Sequence, residues 1–239
     1  MISSTQIFLF LLSAFFTICG NSQSLTGAWE TVITTDSGEK IRNVVIFSEG
    51  FQVSTNYYAE TGKFIGTNGG SWDLNGDLIT EVVEFDTRDS TNVGNKITFK
   101  VKIDDNELSA DEFDIIWTRI DDGSPGELQG AWLMSGRIRN GKTQTRDLNR
   151  PRKTMKILSG TRFQWIAYNT ETGRFSGTGG GTYTTVDGKY TENVEFFSRD
   201  DSRAGMSLEF DFELIDGNWH HKGFSSKGDP MHEIWSRRD

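Results

Sequence analysis

LTGAW at residues 25–29 returns as LQGAW at residues 128–132, and this repeated segment decides the fold of the chain. A longer stretch, ETGKFIGTNGGSW at residues 60–72, returns as ETGRFSGTGGGTY at residues 171–183. IWTR at residues 116–119 then matches IWSR at residues 234–237. Ordered matches spread over about a hundred residues indicate an internal duplication, and a period of that length predicts two tandem domains instead of a solenoid.

These matches divide the chain into four predicted segments. We assign residues 1–22 to a signal peptide, residues 23–121 to the first repeat, residues 122–127 to a linker and residues 128–239 to the second repeat. The linker follows from the sequence DDGSPG at residues 121–126, because Pro and Gly stop strands.

The first segment predicts the cellular location. IFLFLLSAFFTI at residues 7–18 is too short to span a bilayer and is followed by small and polar residues, which is typical of a secretory signal peptide. Cleavage after Ser22 would leave a secreted or periplasmic chain without cysteine, since Cys19 is the single cysteine. A lipid anchor at Cys19 is the alternative, although Ile18 stands where such a site has a small residue.

Composition restricts the classes of function. The chain is 35% hydrophobic and 25% charged with a net charge of −9, which fits a globular protein and disfavours binding to nucleic acid or to anionic lipid. The acidic excess lies almost entirely in the first repeat, and this asymmetry favours contact between the two repeats. We expect no nucleic-acid partner and no transmembrane segment in the mature chain.

The local pattern predicts an all-β protein. Short stretches rich in β-branched and aromatic residues alternate with turn signals, and no stretch beyond the signal peptide keeps a helical period. We count about eight strands in each repeat. The predicted fold is therefore two tandem, compact, up-and-down antiparallel β-barrels, in which the first and last strands pair to remove the open edge.

Each repeat opens with Gly-Ala-Trp and closes with Trp-x-Arg, so closure of the barrel would bring the first Trp and the last Arg together. In this the sequence resembles the lipocalins and the wider calycin superfamily, in particular the compact, uncharacterised lipocalin-like domains of exported bacterial proteins. The resemblance implies a barrel closed by an Arg packed across a Trp and a ligand held inside the barrel or at its mouth. The residues it assigns to barrel closure are Gly27, Trp29, Arg119, Gly130, Trp132 and Arg237.

One repeated glutamate marks a candidate ligand site. The two-residue period of a strand puts Glu81, Val83 and Phe85 on one face, which is expected to point inward. A carboxylate on such a face needs a partner, and Arg88 or, in the second repeat, Arg199 lies a few residues downstream of the glutamate. A structural ion pair at the barrel end is the alternative role. The candidate ligand-binding residues are Tyr58, Trp72, Glu81, Phe85 and Arg88 and, in the second repeat, Trp165, Tyr183, Glu192, Phe196 and Arg199.

No complete catalytic constellation is present in the sequence. The first repeat has no His, and Glu81 and Glu84 fall on opposite faces of one strand, where they cannot flank a glycosidic bond. A two-histidine metal site would need His232 with His220 or His221. We expect no enzyme activity, no cofactor and no metal. The predicted function is binding of a small or partly apolar ligand, and the alternative is an envelope module for protein or carbohydrate contacts with side-chain-filled barrels.

Overall fold

The computed structural model of the chain describes residues 24–104, 106–124, 126–225 and 228–238. The predicted signal peptide and the alternative anchor at Cys19 lie outside the described residues. No helix within those four ranges is both long and apolar enough to cross a bilayer.

The first repeat forms a closed antiparallel barrel, barrel 1, in which each strand pairs with the next along the chain and the last pairs with the first. A short 3-10 helix, Ser90–Asn92, lies between the fifth and sixth strands. The strands are β1 (Gly27–Thr34), β2 (Lys40–Ser48), β3 (Phe51–Tyr58), β4 (Phe64–Asn75), β5 (Leu78–Asp86), β6 (Lys96–Asp104), β7 (Glu107–Ala110) and β8 (Phe113–Asp121).

The second repeat forms barrel 2, in which β9 pairs with both β11 and β17 and a short strand, β10, extends β9 as a hairpin. Its strands are β9 (Gly130–Arg139), β10 (Lys142–Thr145), β11 (Arg152–Leu158), β12 (Arg162–Asn169), β13 (Phe175–Val186), β14 (Lys189–Phe197), β15 (Ser207–Ile215), β16 (Asn218–Phe224) and β17 (Pro230–Arg237). The predicted all-β class and the two closed antiparallel barrels are confirmed.

Each barrel is closed by a tryptophan under an arginine. In barrel 1, Trp29 pairs across strands with Arg119, whose guanidinium carbon lies 3.9 Å from the indole centroid. Barrel 2 repeats this with Trp132 and Arg237 at 4.1 Å. Both indoles are fully buried and donate a hydrogen bond to the carbonyl four residues earlier, at 2.9 and 2.8 Å. The glycine of the motif is required because Gly130 has a φ of 122° and lies directly under the Arg237 guanidinium.

Buried apolar residues form three clusters. One fills barrel 1 around Trp29, and another fills barrel 2 around Trp132. The third lies between the barrels and draws on the outward faces of β2 and β3 from barrel 1 and of β11 and β12 from barrel 2. The fold therefore has an apolar core inside each barrel and a further one between them.

Contacts across this third core are nearly symmetric. The Tyr57 hydroxyl donates to Glu195 Oε2 at 2.5 Å, and the Tyr168 hydroxyl donates to Glu84 Oε2 at 2.5 Å. The two tyrosines are equivalent in the duplication, as are the two glutamates. Burial raises the pKa of both phenols, so both remain hydrogen-bond donors at neutral pH. The two repeats therefore pack like the halves of a twofold dimer.

Phe85 and Phe196 also lie in this interface, so their predicted place on the inner wall of a cavity is wrong. Phe85 packs on the Tyr168 ring and Phe196 on the Tyr57 ring, each with centroids 4.8 Å apart. The physical reason is a β-bulge, because β4 passes from Gly70 opposite Val83 to Gly69 opposite Phe85 and leaves Glu84 unpaired. The extra residue reverses the alternation, and the same shift occurs between β13 and β14.

Candidate functional site

Glu81 lies on the inner wall of barrel 1, between its cross-strand neighbours Trp72 and Ile97. Among the described residues, no hydrogen bond or ion pair involves its carboxylate. The side chain is partly buried, and burial raises the pKa of Glu81 from 4.5 to about 7. Barrel 1 therefore holds an acceptor group for which the described part of the chain supplies no donor.

In barrel 2 the equivalent carboxylate is paired. Glu192 Oε1 accepts a hydrogen bond from Lys156 Nζ at 2.7 Å, and both side chains are less than a tenth exposed. Lys156 Nζ also lies 3.4 Å from His221 Nδ1, which is 3.6 Å from Glu233 Oε2. Burial, and then the Lys156 charge, lower the pKa of His221 to about 4, so this imidazole is neutral at physiological pH.

The Lys156 ammonium is also enclosed by aromatic rings. Its Nζ lies 5.0 Å from the centroid of Tyr190, 4.8 Å from that of Trp219 and 5.3 Å from that of Trp235. Ring faces at these distances attract a cation, and the attraction increases when water is excluded. The centre of barrel 2 is therefore an ammonium site that the protein fills with its own lysine.

This ammonium site leaves other polar atoms unpaired. The Tyr190 hydroxyl, the Trp219 indole nitrogen and His221 Nε2 are buried and have no hydrogen-bond partner in the part of the chain that the structure describes. Burial, followed by the Glu192 charge, holds the pKa of Tyr190 well above its ordinary value. Unpaired buried polar groups each cost about 1–3 kcal/mol, so these atoms lower the stability of barrel 2.

The inner wall of barrel 1 carries smaller side chains at the equivalent positions. The equivalence follows from the pairing registers, since Trp29 lies opposite Val45 as Trp132 lies opposite Lys156. The pairing registers of the later strands give the other equivalent positions in the same way. The residues of barrel 1 and their counterparts in barrel 2 are Val45 for Lys156, Ile79 for Tyr190, Leu108 for Trp219 and Ala110 for His221.

The mouth of barrel 1 exposes apolar side chains that point inward. By strand alternation from buried Trp29, Ile33 faces the inside of the barrel, yet it is 43% exposed. Ile97 is 41% exposed and Phe113 is 49% exposed, and Phe113 contacts the Phe99 ring at 5.9 Å. These exposed apolar side chains lie at one end of barrel 1, and Ile97 is the cross-strand neighbour of Glu81.

The remaining aromatic candidates lie on the inner walls. Trp72 donates its indole N–H to the Ser48 carbonyl at 3.0 Å, and the Tyr58 ring lies at the end of β3 with Lys63 Nζ 5.9 Å from its centroid. In barrel 2, Trp165 packs on Phe197. A small pocket of about 30 Å³ beside Glu192 is lined in part by Trp165.

Tyr183 is the most enclosed of these candidates. It is buried, and its hydroxyl donates to the Ser159 carbonyl at 2.6 Å. The hydrogen-bond partner of Tyr183 thus belongs to the same barrel. Ligand contact at Tyr58, Trp72, Trp165 and Tyr183 stays a prediction.

The predicted pairing of Arg88 and Arg199 with the inner glutamates is wrong. Arg199 Nε donates to the Ser176 carbonyl at 3.0 Å and lies across Gly177. Arg88 occupies the equivalent place, with its side chain against Gly66. The bulges explain the difference, because the chain beyond each bulge leaves the inner face and carries these arginines outside the barrels.

Sequence reasoning missed Lys156 and Glu233, and it considered His221 only as a possible metal ligand. A signal for Lys156 exists, since a lysine alternates with apolar residues in β11 at a position where the first repeat has valine. Only the pairing of β9 with β11 and β17 shows that these three groups meet.

A groove between the barrels was also not predicted, because it is built from both repeats. Its volume is about 760 Å³, and the side-chain amide oxygen of Gln129 is buried there without a partner among the described residues. Its lining comprises Thr26, Phe47, Ser48, Glu49, Gly50, Gly123, Gln129, Gly130, Ala131, Leu158, Ser159, Arg237 and Arg238.

The histidines do not assemble a metal centre in the described ranges. His220 Nδ1 lies 3.0 Å from His232 Nε2 on the outside of barrel 2, whereas His221 points inward. No group of three or more His, Cys, Asp or Glu side chains suited to a metal ion occurs among those residues.

Comparison with known proteins gives a family model and a similar solved structure. The model of a domain of unknown function (DUF4488) matches residues 127–239, and no curated protein matches the chain. The crystal structure of a lipocalin-like protein from Bacteroides uniformis ATCC 8492 is similar with 15% identity and a TM-score of 0.33, covering 47% of this chain and all of that chain. The lipocalin-like fold expected from the sequence is confirmed by the two closed barrels, each with a tryptophan under its last-strand arginine.

Proposed function

We propose that the protein binds a small, partly apolar ligand at the mouth of barrel 1, down to Glu81, without altering it chemically. The observation that carries this proposal is the difference between the two inner walls. Barrel 2 is filled by Lys156 and its aromatic cage, whereas barrel 1 has smaller side chains at the equivalent positions and leaves Glu81 unpaired among the described residues. A largely apolar site with a few polar groups is the usual form of a small-molecule pocket.

A dye titration tests the location of the site. The mature chain is titrated with N-phenyl-1-naphthylamine, a neutral apolar dye, and its fluorescence is followed. Phe113→Ser at the mouth of barrel 1 should weaken binding about tenfold, because loss of a buried aromatic contact costs more than 1 kcal/mol. Met231→Ser is the matched control at the equivalent strand position of barrel 2 and should leave the affinity unchanged. Equal loss in both variants, or no binding, would contradict the proposal.

The groove between the barrels supports a second candidate, an envelope module that binds a protein or a carbohydrate. Its lining is rich in hydroxyl, amide and guanidinium groups, which suit polar partners. Gln129→Ala would weaken such binding and leave dye binding at barrel 1 intact. Binding of the wild-type chain to sugars on a glycan array, without binding of the dye, would favour this candidate.

We also propose that the two repeats stay docked in solution and that the chain is exported. The hydrogen bonds of Tyr57 and Tyr168 across the third core support docking, and limited proteolysis within residues 122–127 followed by gel filtration tests it. Co-elution of the two fragments is expected. Export is supported by the apolar segment at residues 7–18, and N-terminal sequencing of the mature protein, with mass analysis for a lipid on Cys19, tests it.

A further inference from the structure

One difference between the two inner walls bears on the chemistry of the ligand. In barrel 2, an inner-wall glutamate holds an ammonium group, with Glu192 Oε1 2.7 Å from Lys156 Nζ. In barrel 1, the same glutamate position is kept as Glu81, but the lysine position is occupied by Val45. The carboxylate is thus retained and the tethered cation is not.

The surroundings of Glu81 suit a cation that arrives from solution. Trp72 is its direct cross-strand neighbour, and Trp117 corresponds to the cage residue Trp235 of barrel 2. Trp117 is partly buried in the core of barrel 1. The acidic excess of the chain lies in this repeat, which attracts cations toward the mouth.

An anionic ligand does not fit beside Glu81. A carboxylate or phosphate brought beside Glu81 would place two like charges in a partly buried site, and no positive side chain is hydrogen-bonded or ion-paired to Glu81 within the described ranges. A neutral alcohol would supply one donor but no charge. A protonated amine supplies both, and a charge-assisted hydrogen bond is about twice as strong as a neutral one.

We propose that barrel 1 takes a primary amine with an apolar body, whose ammonium group pairs with Glu81 as Lys156 pairs with Glu192 in barrel 2. This inference rests on the proposed function, since it names the class of ligand for the same site. The apolar body would lie toward the mouth, against Ile97 and Phe113.

Calorimetric titration with three probes of equal chain length tests the inference. The mature chain is titrated at about pH 8 with n-octylamine, n-octanol and n-octanoate, because near this pH both the amine and Glu81 are ionised. We expect n-octylamine to bind at least about tenfold more tightly than n-octanol, and n-octanoate to bind most weakly.

Two variants and a control assign this preference to Glu81. Glu81→Gln should lower n-octylamine affinity to that of n-octanol and leave n-octanol binding unchanged. Val45→Lys should place a tethered ammonium beside Glu81 and abolish n-octylamine binding. Glu60→Gln, which removes an exposed carboxylate at a hairpin of the same barrel, should change nothing. Circular dichroism spectra show whether each variant is folded.

The outcomes separate the two proposals. Binding of all three probes with equal affinity, or unchanged n-octylamine affinity in Glu81→Gln, would overturn the amine inference and leave the barrel 1 site standing. Failure of every probe to bind would overturn both. Selective n-octylamine binding that is lost in Glu81→Gln supports both.

Discussion

Trp29 and Trp132 show how much of each barrel depends on one side chain. Each indole is buried, hydrogen-bonded to a carbonyl and covered by an arginine from the last strand. Trp29→Ala should lower the free energy of unfolding by about 3–5 kcal/mol, since it opens a cavity and removes the surface on which Arg119 lies. Urea unfolding followed by circular dichroism measures this. Phe224→Ala, at a side chain that is 63% exposed, is the control and should change stability by less than about 0.5 kcal/mol.

Lys156 and Glu192 form a buried pair whose members depend on each other. Lys156→Met should lower the free energy of unfolding by about 3–5 kcal/mol, because it leaves the Glu192 carboxylate buried without its cation. The double variant Lys156→Met, Glu192→Gln should regain more than half of this loss. Thermal and urea unfolding of the three proteins measure both effects. A single variant as stable as the wild type would show that Glu192 has another partner.

The raised pKa of Glu81 makes the stability of the protein depend on pH, and the direction of this dependence follows from the shift. Its folded pKa is raised from 4.5 to about 7, so the folded state holds the proton more tightly than the unfolded state. The associated stability is complete below about pH 4.5 and is lost as the pH rises through about 7. The free energy of unfolding of Glu81→Gln minus that of the wild type should therefore increase by about 1–3 kcal/mol as the pH rises from 4.5 to 8.

Comparing the two proteins at each pH removes the effect of His221. The folded pKa of His221 is lowered to about 4, so its contribution has the opposite sign and is lost as the pH falls from 6.5 toward 4. Because His221 is present in both proteins, its term cancels in the difference. A difference in unfolding free energy that stays constant from pH 4.5 to 8 would contradict the raised pKa of Glu81.

Strands β5 and β14 show where sequence patterns predict the fold and where they fail. Alternation in β5 placed Glu81 correctly on the inner wall, since this segment pairs in regular register with β4 and β6. It failed four residues later for Phe85, because a bulge depends on how β4 pairs with β5 and leaves no mark in the two-residue period of β5. The Gly69–Gly70 pair permits the bulge, since a side chain on Gly70 would meet the Val82 carbonyl.

The candidate site was predictable in part for the same reason. A glutamate among apolar residues is visible in one strand, so both inner glutamates could be identified. The partner of Glu192 comes from β11, which is three strands away in the order of the sheet. Such a pairing depends on curvature across the barrel and not on any local spacing, which is why Lys156 was missed and Arg199 was chosen.

The molecule as a whole resembles a dimer made from one chain. Phe64 and Phe175 occupy equivalent positions and stack on each other with centroids 6.0 Å apart and planes 10° from parallel. Residues that meet their own counterparts in this way lie close to a twofold axis. Arg162 breaks the symmetry, since it is ion-paired to Glu195 and donates to Tyr57, while the corresponding contacts to Glu84 and Tyr168 come from Arg238.

The second repeat carries both sides of this interface and should therefore pair with itself. Expressed alone as residues 127–239, it would expose the apolar face that now covers barrel 1, and burial of such a face is the main driving force for association. In a twofold dimer, Tyr168 of one copy would donate to Glu195 of the other, and Arg162 would keep its ion pair. We expect a dimer by light scattering after gel filtration, and Phe175→Asp should make it monomeric, because two like charges would meet near the axis. The concentration for this measurement is about 50 μM, because even modest interfaces have micromolar dissociation constants. A wild-type fragment that is folded and monomeric at this concentration would contradict the predicted pairing.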